Sequence, residues 1–400
     1  MGININNTPL LLAPAGNPLT FTFESSETGQ DNFSFVVELY INGSLRLTSK
    51  VFRQSDVYSR INVQEAVQAS LSTYDLFDDL YFNALSFLSS YSIIAYESYG
   101  SPPTLHDSAN SGLRIAYNGA FEFDGWKTGE YNYQIFAIDL TTPFRFLTDA
   151  PKNKKLFIGM EEYYFLAYFA EVAPANTYLI VELYGVTNNL IANEGLLIGT
   201  TSGFNALNVG PQQIINNSQG NITQVEFDST FYYTIKVTDG GISQESEVVT
   251  IHIDQSCTEY DDIRLYFLNK YGVYDQFSFN LVSTNTSTIK SFDYEQEPGK
   301  WNATGGFVYP NGRGQMVNYA KTKVTQLIVN SDFMNQDVQN WLVTTLFDSP
   351  LVYMQINGAA EYEVVKVTNS TAKNKRRKTD GLIQETVTID RTFTYTSQII

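Results

Sequence analysis

Residues 33–48 read Phe33-Ser-Phe-Val-Val-Glu-Leu-Tyr-Ile41-Asn-Gly-Ser44-Leu-Arg-Leu-Thr48, and this stretch decides the fold class. Apolar and polar side chains alternate on both sides of Asn42-Gly43, as they do along a half-buried β-strand. An Asn-Gly pair between two alternating runs is the strongest short signal for a two-residue β-hairpin. The stretch therefore predicts two antiparallel strands joined by a tight turn.

Short strands are predicted along most of the first 256 residues. Up to residue 150 they fall at 19–24, 92–97, 113–117, 120–123 and 131–139. Beyond it they fall at 157–158, 163–170, 177–184, 196–200, 224–227, 231–239 and 246–253. Such spacing of short strands favours β-sandwiches. One short helix is predicted at 61–72, with Asn62 as its N-cap and Glu65 completing a capping box.

The second half of the chain begins near Cys257 and combines strands with one strong helix. The run from Ile263 to Asn280 predicts two apolar strands around a polar, Gly-containing turn. A helix is predicted at 335–347, because Asn335 is a good N-cap and an apolar stripe follows at helical spacing. That stripe consists of Val338, Trp341, Leu342 and Leu346. Further strands are expected at 351–356, 362–368 and 382–395.

The predicted fold class is mainly β, with several β-sandwich-like units and a C-terminal β domain that carries one α-helix. We expect an N-terminal β domain with a short helix at 1–150, a β-sandwich at 151–256, and a β-rich domain at 257–400. Two prolines and a Lys-rich turn within 142–155 suggest the first boundary. The tetrapeptide Val-Glu-Leu-Tyr occurs at both 37–40 and 181–184. It indicates either a duplicated sandwich or a coincidence in a strand-rich chain.

Composition excludes several classes of protein. The net charge is −17 with a pI near 4.5, charged residues make up 17% of the chain and aromatic residues 14%. A hydrophobic fraction of 43% is too high for a disordered chain. The negative field repels phosphate, which argues against sequence-specific or general nucleic-acid binding and against adhesion to anionic lipid.

Few residues are available for metal or redox chemistry. Cys257 is the single cysteine, which excludes an internal disulfide framework and a thiolate zinc cluster. His106 and His252 are the two histidines, and neither lies in a ligand motif. We therefore expect no metal and no cofactor. The N-terminus lacks a basic region and a long apolar run, so neither a signal peptide nor membrane insertion is expected.

No catalytic motif emerges, and the chain is not expected to be an enzyme. The acidic pairs Asp78-Asp79, Glu161-Glu162 and Asp261-Asp262 each join neighbours, which point to opposite faces of a strand. A Gly-x-Ser-x-Gly elbow and a phosphate-binding P-loop are both absent from the sequence.

The basic run at 373–378 and the many aromatic residues each have competing interpretations. The run can be a solvated hairpin tip, an electrostatic contact with the acidic face of a neighbouring copy, or a site for phosphate or nuclear import. The tyrosines favour sheet packing or a subunit interface over a sugar-binding platform.

The C-terminal half resembles tail structural proteins of tailed bacteriophages, most closely those of Bacteroidetes-infecting, crAss-like phages. The resemblance lies in Arg264-Leu-Tyr-Phe-Leu-Asn-Lys-Tyr-Gly-Val-Tyr-Asp-Gln-Phe-Ser-Phe279, in Trp341-Leu342 followed by Ser349-Pro350-Leu-Val-Tyr353, and in the strand at 384–395. It covers roughly residues 200–400. It implies a virion tail component, made in the bacterial cytoplasm, that acts as a hub, ring or adaptor.

Assembly is the function that this resemblance implies, with copies of the same chain and other tail proteins as partners. Packing anchors at the contacts are predicted to be Trp301, Trp341 and Tyr353, and charge contacts Arg376 and Arg377. Two alternatives stay open. One is a receptor-binding adhesin or a tail protein that binds a host surface glycan, and the other is a polysaccharide depolymerase.

Overall fold

The computed structural model describes most of the 400-residue chain. The described residues are 2–54, 58–73, 79–83, 87–138, 143–157, 164–170, 174, 176–240, 244–254, 259–297, 299–302, 304–308, 315–356, 361–369, 383–392 and 394–397. They form 27 strands and five α-helices. The predicted fold class, mainly β with sandwich-like units, is confirmed. Internal contacts divide the chain into unit 1, Met1–Gln255 with Leu268–Gln276, and unit 2, Ser256–Phe267 with Phe277–Ile400.

Unit 1 begins with a two-layer β-sandwich. Its elements are β1 (Asn4–Asn7), β2 (Leu12–Pro14), β3 (Thr20–Glu24), β4 (Ser34–Ile41), β5 (Ser44–Val51), β6 (Tyr58–Asn62), α1 (Gln64–Gln68), β8 (Leu88–Tyr99), β9 (Thr104–Asn110) and β10 (Arg114–Tyr117), with β7 (Tyr81–Asn83) between α1 and β8. One sheet has the order β1-β3-β6, and the other has the order β2-β10-β8-β4-β5, with β9 beside β8. Phe23 and Phe35 meet edge-to-face between the two sheets, with ring centroids 4.7 Å apart, and both are fully buried.

The hairpin predicted at 33–48 is confirmed as β4 and β5. Asn42 and Gly43 have φ of 50° and 75°, the left-handed values that a type I′ turn requires at both central positions. Side chains on β4 alternate between buried and half-buried, so its apolar members Val37 and Leu39 face the core.

The short helix predicted at 61–72 exists, but its predicted capping box is wrong. Helix α1 spans only Gln64–Gln68, and its N-cap is Val63 without a side-chain cap bond. Asn62 is the last residue of β6 instead. Its Oδ1 accepts hydrogen bonds from the backbone N–H groups of Leu19, at 2.9 Å, and Gln64, at 3.1 Å. The side chain thus fastens the strand to its neighbour, and Glu65 has no cap to complete.

A second β-sandwich follows within unit 1. Its elements are α2 (Phe123–Thr128), a 3-10 helix (Tyr133–Phe136), β11 (Asn153–Phe157), β12 (Phe165–Ala170), β13 (Thr177–Tyr184), β14 (Leu190–Ile198), β15 (Gly203–Asn208), α3 (Pro211–Asn217), α4 (Gln224–Asp228), β16 (Tyr232–Asp239) and β17 (Val249–Asp254). The sheets have the orders β11-β17-β16-β13-β14 and β12-β15-β7. Their shared core includes Tyr168, Val181, Leu207 and Ile235, all buried.

The two sandwiches repeat one strand order in their larger sheets. In each, the first strand pairs in parallel with the last, β2 with β10 and β11 with β17. The two central antiparallel strands correspond as well, β4 to β13 and β8 to β16. A β-bulge interrupts the outer pairing between Leu39 and Tyr40 in one sheet and between Leu183 and Tyr184 in the other. The shared Val-Glu-Leu-Tyr therefore occupies the same place in both sheets, which supports a duplication.

Three predicted strands of unit 1 are wrong. The stretch 120–123 leads into helix α2, and the stretch 131–139 contains the 3-10 helix. The stretch 224–227 is helix α4, which a genuine capping box begins: Thr223 accepts from the Val225 N–H, and Glu226 accepts from the Thr223 N–H at 2.9 Å. The Thr-x-x-Glu signal outweighs the strand propensity of Val225 and Phe227 there.

The chain does not separate at residue 150 in the division by contacts. Strand β7, which precedes that position, pairs with β15 from Tyr81↔Leu207 to Asn83↔Asn205, so it completes a sheet of the second sandwich. The tip segment, which we define as Leu268–Gln276, also belongs to unit 1, although the chain on both of its sides belongs to unit 2. Both assignments depend on contacts between residues far apart in the sequence.

Unit 2 is built on one large antiparallel sheet and a helix. Its elements are β18 (Ile263–Leu268), β19 (Tyr274–Phe279), β20 (Thr284–Glu295), β21 (Lys300–Asn302), β22 (Gly306–Val308), β23 (Met316–Asn330), α5 (Gln336–Thr345), β24 (Val352–Ile356), β25 (Glu363–Val367), β26 (Thr386–Arg391) and β27 (Tyr395–Thr396). The last residue of β18 and the first three residues of β19 are part of the tip segment and so of unit 1. The sheet order is β19-β18-β24-β25-β26-β23-β20, with β27 beside β23. The strand predicted at 382–395 is thus divided into β26 and β27.

The predicted helix at 335–347 is confirmed as α5. The Asn335 Oδ1 accepts a 2.9 Å hydrogen bond from the Val338 N–H, as expected of an N-cap. The apolar stripe faces the interior: Leu342 is fully buried and Trp341 is 4% exposed. The Trp341 ring packs against Phe267 at 5.6 Å and Phe277 at 6.2 Å between centroids.

Candidate interaction surfaces

Of the five predicted contact residues, the structure describes the side chains of only two, Trp341 and Tyr353. Arg376 and Arg377, with the whole basic run 373–378, lie outside the described residues. Trp301 is described by its backbone only, opposite Phe307 in the hairpin of β21 and β22. Trp341 is in the interior of unit 2, and Tyr353 is half-buried on β24. The role of the five residues between copies stays a prediction.

The most exposed element of unit 2 is the pair β20 and β23, which we call the ribbon. The two strands pair without a gap from Thr284↔Ile328 to Glu295↔Met316, with one bulge after Phe292. All 12 residues of β20 are exposed. Within the described part of the chain, no strand pairs with the outer edge of β20. At about 3.3 Å per residue, this open edge is about 40 Å long.

The outer part of the ribbon has only two strands. Strand β26 supports residues 326–330 of β23, and β27 pairs with Thr322 and Lys323. Beyond them, residues 316–320 pair with β20 alone among the described strands. A two-stranded hairpin is marginally stable in water unless a third strand or another layer joins it. A further strand that pairs with the outer part of the ribbon would therefore stabilise it.

Three exposed aromatic side chains meet on this outer part. Phe292, Tyr294 and Tyr319, which we call the aromatic cluster, have exposed fractions of 41%, 46% and 38%. The Tyr319 ring centroid is 6.3 Å from that of Phe292 and 6.1 Å from that of Tyr294. Contiguous exposed aromatic groups are typical of the energetically important centre of a protein interface.

The charges of the ribbon differ from those of the rest of the chain. Residues 284–330 contain five Lys and Arg and three Asp and Glu, in a chain whose net charge is −17. On β20 the charges are separated along the strand: Lys290 precedes the aromatic cluster, and Asp293 and Glu295 lie within and after it. Asp293 accepts a 2.7 Å hydrogen bond from the Asn318 side chain. Among the described residues, none forms an ion pair with Lys290.

A second candidate surface lies on the outer face of the second sandwich. The Tyr184 and Tyr232 rings stack with centroids 5.0 Å apart and an interplanar angle of 11°. His252 lies 5.5 Å from Tyr232, and Phe231, which is 45% exposed, lies 6.0 Å from His252. We call these four residues the aromatic row. They form an amphipathic strip across β13, β16 and β17.

Glu182 provides the polar edge of the aromatic row. Its Oε2 accepts hydrogen bonds from the Tyr184 hydroxyl at 2.8 Å and from the Thr234 hydroxyl at 3.2 Å. The hydrogen bond to the carboxylate, together with partial burial, raises the pKa of Tyr184 above its ordinary value. The first sandwich repeats the pair, because the Tyr40 hydroxyl donates to Glu38 at 2.9 Å.

A cluster of titratable groups surrounds the tip segment in unit 1. The Lys270 ammonium lies 2.5 Å from Asp149 and 3.1 Å from Glu130. The Tyr271 hydroxyl donates to Asp149 at 3.0 Å. The Tyr271 ring packs edge-on against Phe121 and Phe136, at 5.3 and 5.0 Å between centroids.

Lys270 and Tyr271 are both held in their protonated forms. Burial alone would lower the pKa of Lys270, but the hydrogen bonds and charges of Asp149 and Glu130 outweigh it and raise that pKa. Burial, reinforced by the charge of Asp149, raises the pKa of Tyr271. A protonated ammonium and a protonated phenol are neither nucleophile nor base at neutral pH, so the group holds the tip segment in place.

Of the acidic pairs considered for catalysis, the structure describes Asp79, Asp261 and Asp262. Asp78 and the pair Glu161-Glu162 lie outside the described residues. Asp262 lies 3.3 Å from the buried Arg264, which also donates to Ser278 at 2.9 Å. In the described ranges, no group of three or more His, Cys, Asp and Glu side chains is arranged to hold a metal ion. No helix found there is long and apolar enough to cross a membrane.

Sequence reasoning missed the ribbon entirely. The run Thr284-Asn-Thr-Ser-Thr-Ile289 carries no alternation of apolar and polar residues, because both of its faces meet solvent. The sequence feature that does indicate a strand here is the content of Thr and Ile, which are strong strand formers. The aromatic row was equally hidden, since its members come from separate strands.

Comparison with known proteins adds little to this description. No family model matches the sequence, and a search of curated proteins finds no match. Among solved structures, the crystal structure of chicken CNTN1 FN1–FN3 domains aligns with 82% of this chain and 91% of that chain. The sequence identity is 7% and the TM-score is 0.19, too low to inform fold or function.

Proposed function

We propose that the chain is a structural virion protein of a bacteriophage tail, a hub, ring or adaptor that assembles with copies of itself and other tail proteins. The observation that carries the proposal is the open edge of β20, exposed over all 12 residues and bordered by the aromatic cluster. The resemblance of residues 200–400 to tail proteins supports the same conclusion.

An open strand edge of this length is an assembly feature. Soluble monomers usually shorten, cover or interrupt such edges, since each offers unpaired backbone groups to any passing strand. The ribbon retains its edge and adds exposed aromatic groups to it. A chain that forms part of a larger assembly uses such an edge to bind its neighbour through main-chain hydrogen bonds.

The charge distribution fits contacts between acidic neighbours. A chain of net charge −17 repels its own copies unless basic segments lie at the contacts. The basic run 373–378, with Arg376 and Arg377, is one such segment in the sequence, and Lys290 on β20 provides a further basic group. Trp301 and Tyr353 remain proposed packing anchors.

The proposal is tested by mass photometry of the purified full chain from about 10 nM to 1 µM, followed by negative-stain imaging of each species. A closed ring or a small symmetric oligomer supports the proposal. Peptides of the chain in purified virus particles, detected by mass spectrometry, support the virion assignment separately. A monomer at all concentrations, absent from particles, contradicts it.

The aromatic row favours a second candidate, a tail protein that binds a host surface glycan. Parallel aromatic rings beside a carboxylate and hydroxyls provide stacking faces and hydrogen-bond partners of the kind that sugars need. A glycan array measures this directly. We would expect Tyr232→Ala to abolish any signal, whereas Tyr395→Ala, which alters an exposed tyrosine of unit 2 at 63% exposure, would leave it unchanged.

A further inference from the structure

We infer that β20 pairs with β20 of a second copy of the chain, in antiparallel orientation about a two-fold axis close to Phe292. The inference rests on the proposed function, because it names the partner and the geometry of one contact in the assembly. Two ribbons joined in this way form a continuous four-stranded sheet, so the outer part of the ribbon gains two strands beyond those described for it.

Charge complementarity identifies the second copy as the occupant. Along β20 the basic residue Lys290 precedes the acidic residues Asp293 and Glu295. Antiparallel self-pairing reverses one strand, so the basic end of each copy lies along the acidic end of the other. Parallel self-pairing in register would place like charges side by side, and opposed like charges destabilise a sheet.

The position of the axis follows from symmetry and side chains. A two-fold axis perpendicular to an antiparallel pair of identical strands passes midway between one residue and the same residue of the second copy. An axis at Lys290 or Asp293 would oppose like charges directly. An axis at Phe292 places the two Phe292 rings opposite each other and Lys290 opposite Tyr294 of the second copy on both sides. Aromatic pairs and cations beside aromatic rings are favourable partners across a sheet.

Disulfide trapping tests the pairing in the full chain with Cys257→Ser as background. Phe292→Cys should cross-link to its own copy under mild oxidation, because directly opposed residues bring their α-carbons within the range that a disulfide spans. Ser291→Cys should cross-link less. Thr284→Cys should stay uncross-linked, since its facing position in this arrangement is residue 300, beyond the end of β20. Equal cross-linking at all three positions would overturn the inference.

A charge reversal tests the same contact without changing the cluster. Lys290→Glu makes all three charges of β20 negative and should weaken self-association about tenfold by sedimentation equilibrium. Lys323→Glu makes the same charge change at an exposed residue of β23, the strand of the ribbon that does not form its open edge. It should leave the dissociation constant within about twofold of that of the unaltered protein. Circular dichroism verifies that both variants fold.

The outcomes separate this inference from the proposed function. Self-association that is insensitive to Lys290→Glu, without cross-linking at Phe292→Cys, overturns the β20 pairing and leaves assembly through other surfaces intact. A full chain that stays monomeric and is absent from virus particles overturns both. Cross-linking at residue 292 together with a weakened Lys290→Glu variant supports the pairing.

Discussion

The α-carbon of Gly272 packs against the backbone carbonyl oxygen of Asn118, and no space for a Cβ remains between them. Gly272 also has φ of 75°, a left-handed value. The contact joins the tip segment to the end of the first sandwich, and both residues belong to unit 1. Only glycine satisfies the backbone conformation and the close approach together.

Replacing Gly272 by alanine should therefore lower the stability of unit 1 by more than the cost of placing alanine in a left-handed backbone conformation. Gly220 is the matched control, with φ of 92° and open space around its α-carbon. We expect Gly220→Ala to cost about 1–2 kcal/mol and Gly272→Ala a further 1–3 kcal/mol or so, because the tip segment must shift. Urea unfolding followed by circular dichroism measures both. Equal losses would show that the tip segment is not seated as described.

Removing the Lys270 ammonium should lower the stability of unit 1 by about 1 kcal/mol, since Asp149 and Glu130 then repel each other. The three side chains are 31%, 45% and 52% exposed, so solvent screens the interaction. Lys236→Met is the control, because Lys236 is also 31% exposed but has a single carboxylate partner, Glu245. Thermal melts of Lys270→Met should approach those of the unaltered protein as sodium chloride rises from 0.05 to about 0.5 M. A difference that does not depend on salt would contradict the ionic explanation.

Unit 1 should unfold in alkali. Burial raises the pKa values of Tyr91, Tyr117, Tyr164, Tyr168 and Tyr271 above the ordinary value of 10.0. Below pH 10 these phenols are protonated in both the folded and the unfolded states, so they do not make the free energy of unfolding depend on pH. Above pH 10 the unfolded chain releases protons that the folded chain retains, and the free energy of unfolding falls as pH rises. The part of the phenolate absorbance at 295 nm that comes from these buried tyrosines should therefore appear together with the loss of circular dichroism. Ionisation of these residues in a chain that stays folded would contradict the prediction.

Trp341 should stabilise unit 2 even when the chain is not associated with other copies. Its ring is 4% exposed and packs against Phe267 and Phe277, so Trp341→Ala should lower the free energy of unfolding by about 3–5 kcal/mol. Tyr395→Ala, at an exposed site, should change it by less than about 0.5 kcal/mol. Urea denaturation of dilute protein, where no oligomer forms, makes this comparison. A Trp341→Ala variant with normal stability that fails to associate would instead identify Trp341 as a contact residue.

Local signals in the sequence were enough to predict the hairpin of β4 and β5, the strands β18 and β19, and helix α5. Each is specified by one short run of consecutive residues: an Asn-Gly turn, two apolar runs around a glycine, or an N-cap with a helical stripe. The shared Val-Glu-Leu-Tyr also marks equivalent strands, because the same bulge lies between its Leu and its Tyr in both sheets.

The remaining features depend on solvent or on distant partners. Strand β20 meets water on both faces, so its side chains carry no periodic pattern to recognise. The tip segment contacts Asp149, more than 100 residues earlier in the chain, and no local pattern reports such a pairing. The apolar residues of helix α4 predict a strand, but the Thr223–Glu226 capping box outweighs their strand propensity. The candidate surfaces could not be predicted either, because each combines residues from several strands.

The tip segment also sets the order in which the chain can mature during synthesis. Unit 1 recruits Leu268–Gln276 after the chain has passed residue 255 and begun unit 2. At about 5–20 residues per second, a ribosome needs roughly 1–4 s to translate the residues between Gln255 and Gln276. During that interval the residues of both sandwiches have been synthesised, but the tip segment is not yet complete. A nascent chain arrested before residue 276 therefore presents an incomplete unit 1 to the chaperones and proteases of the cell.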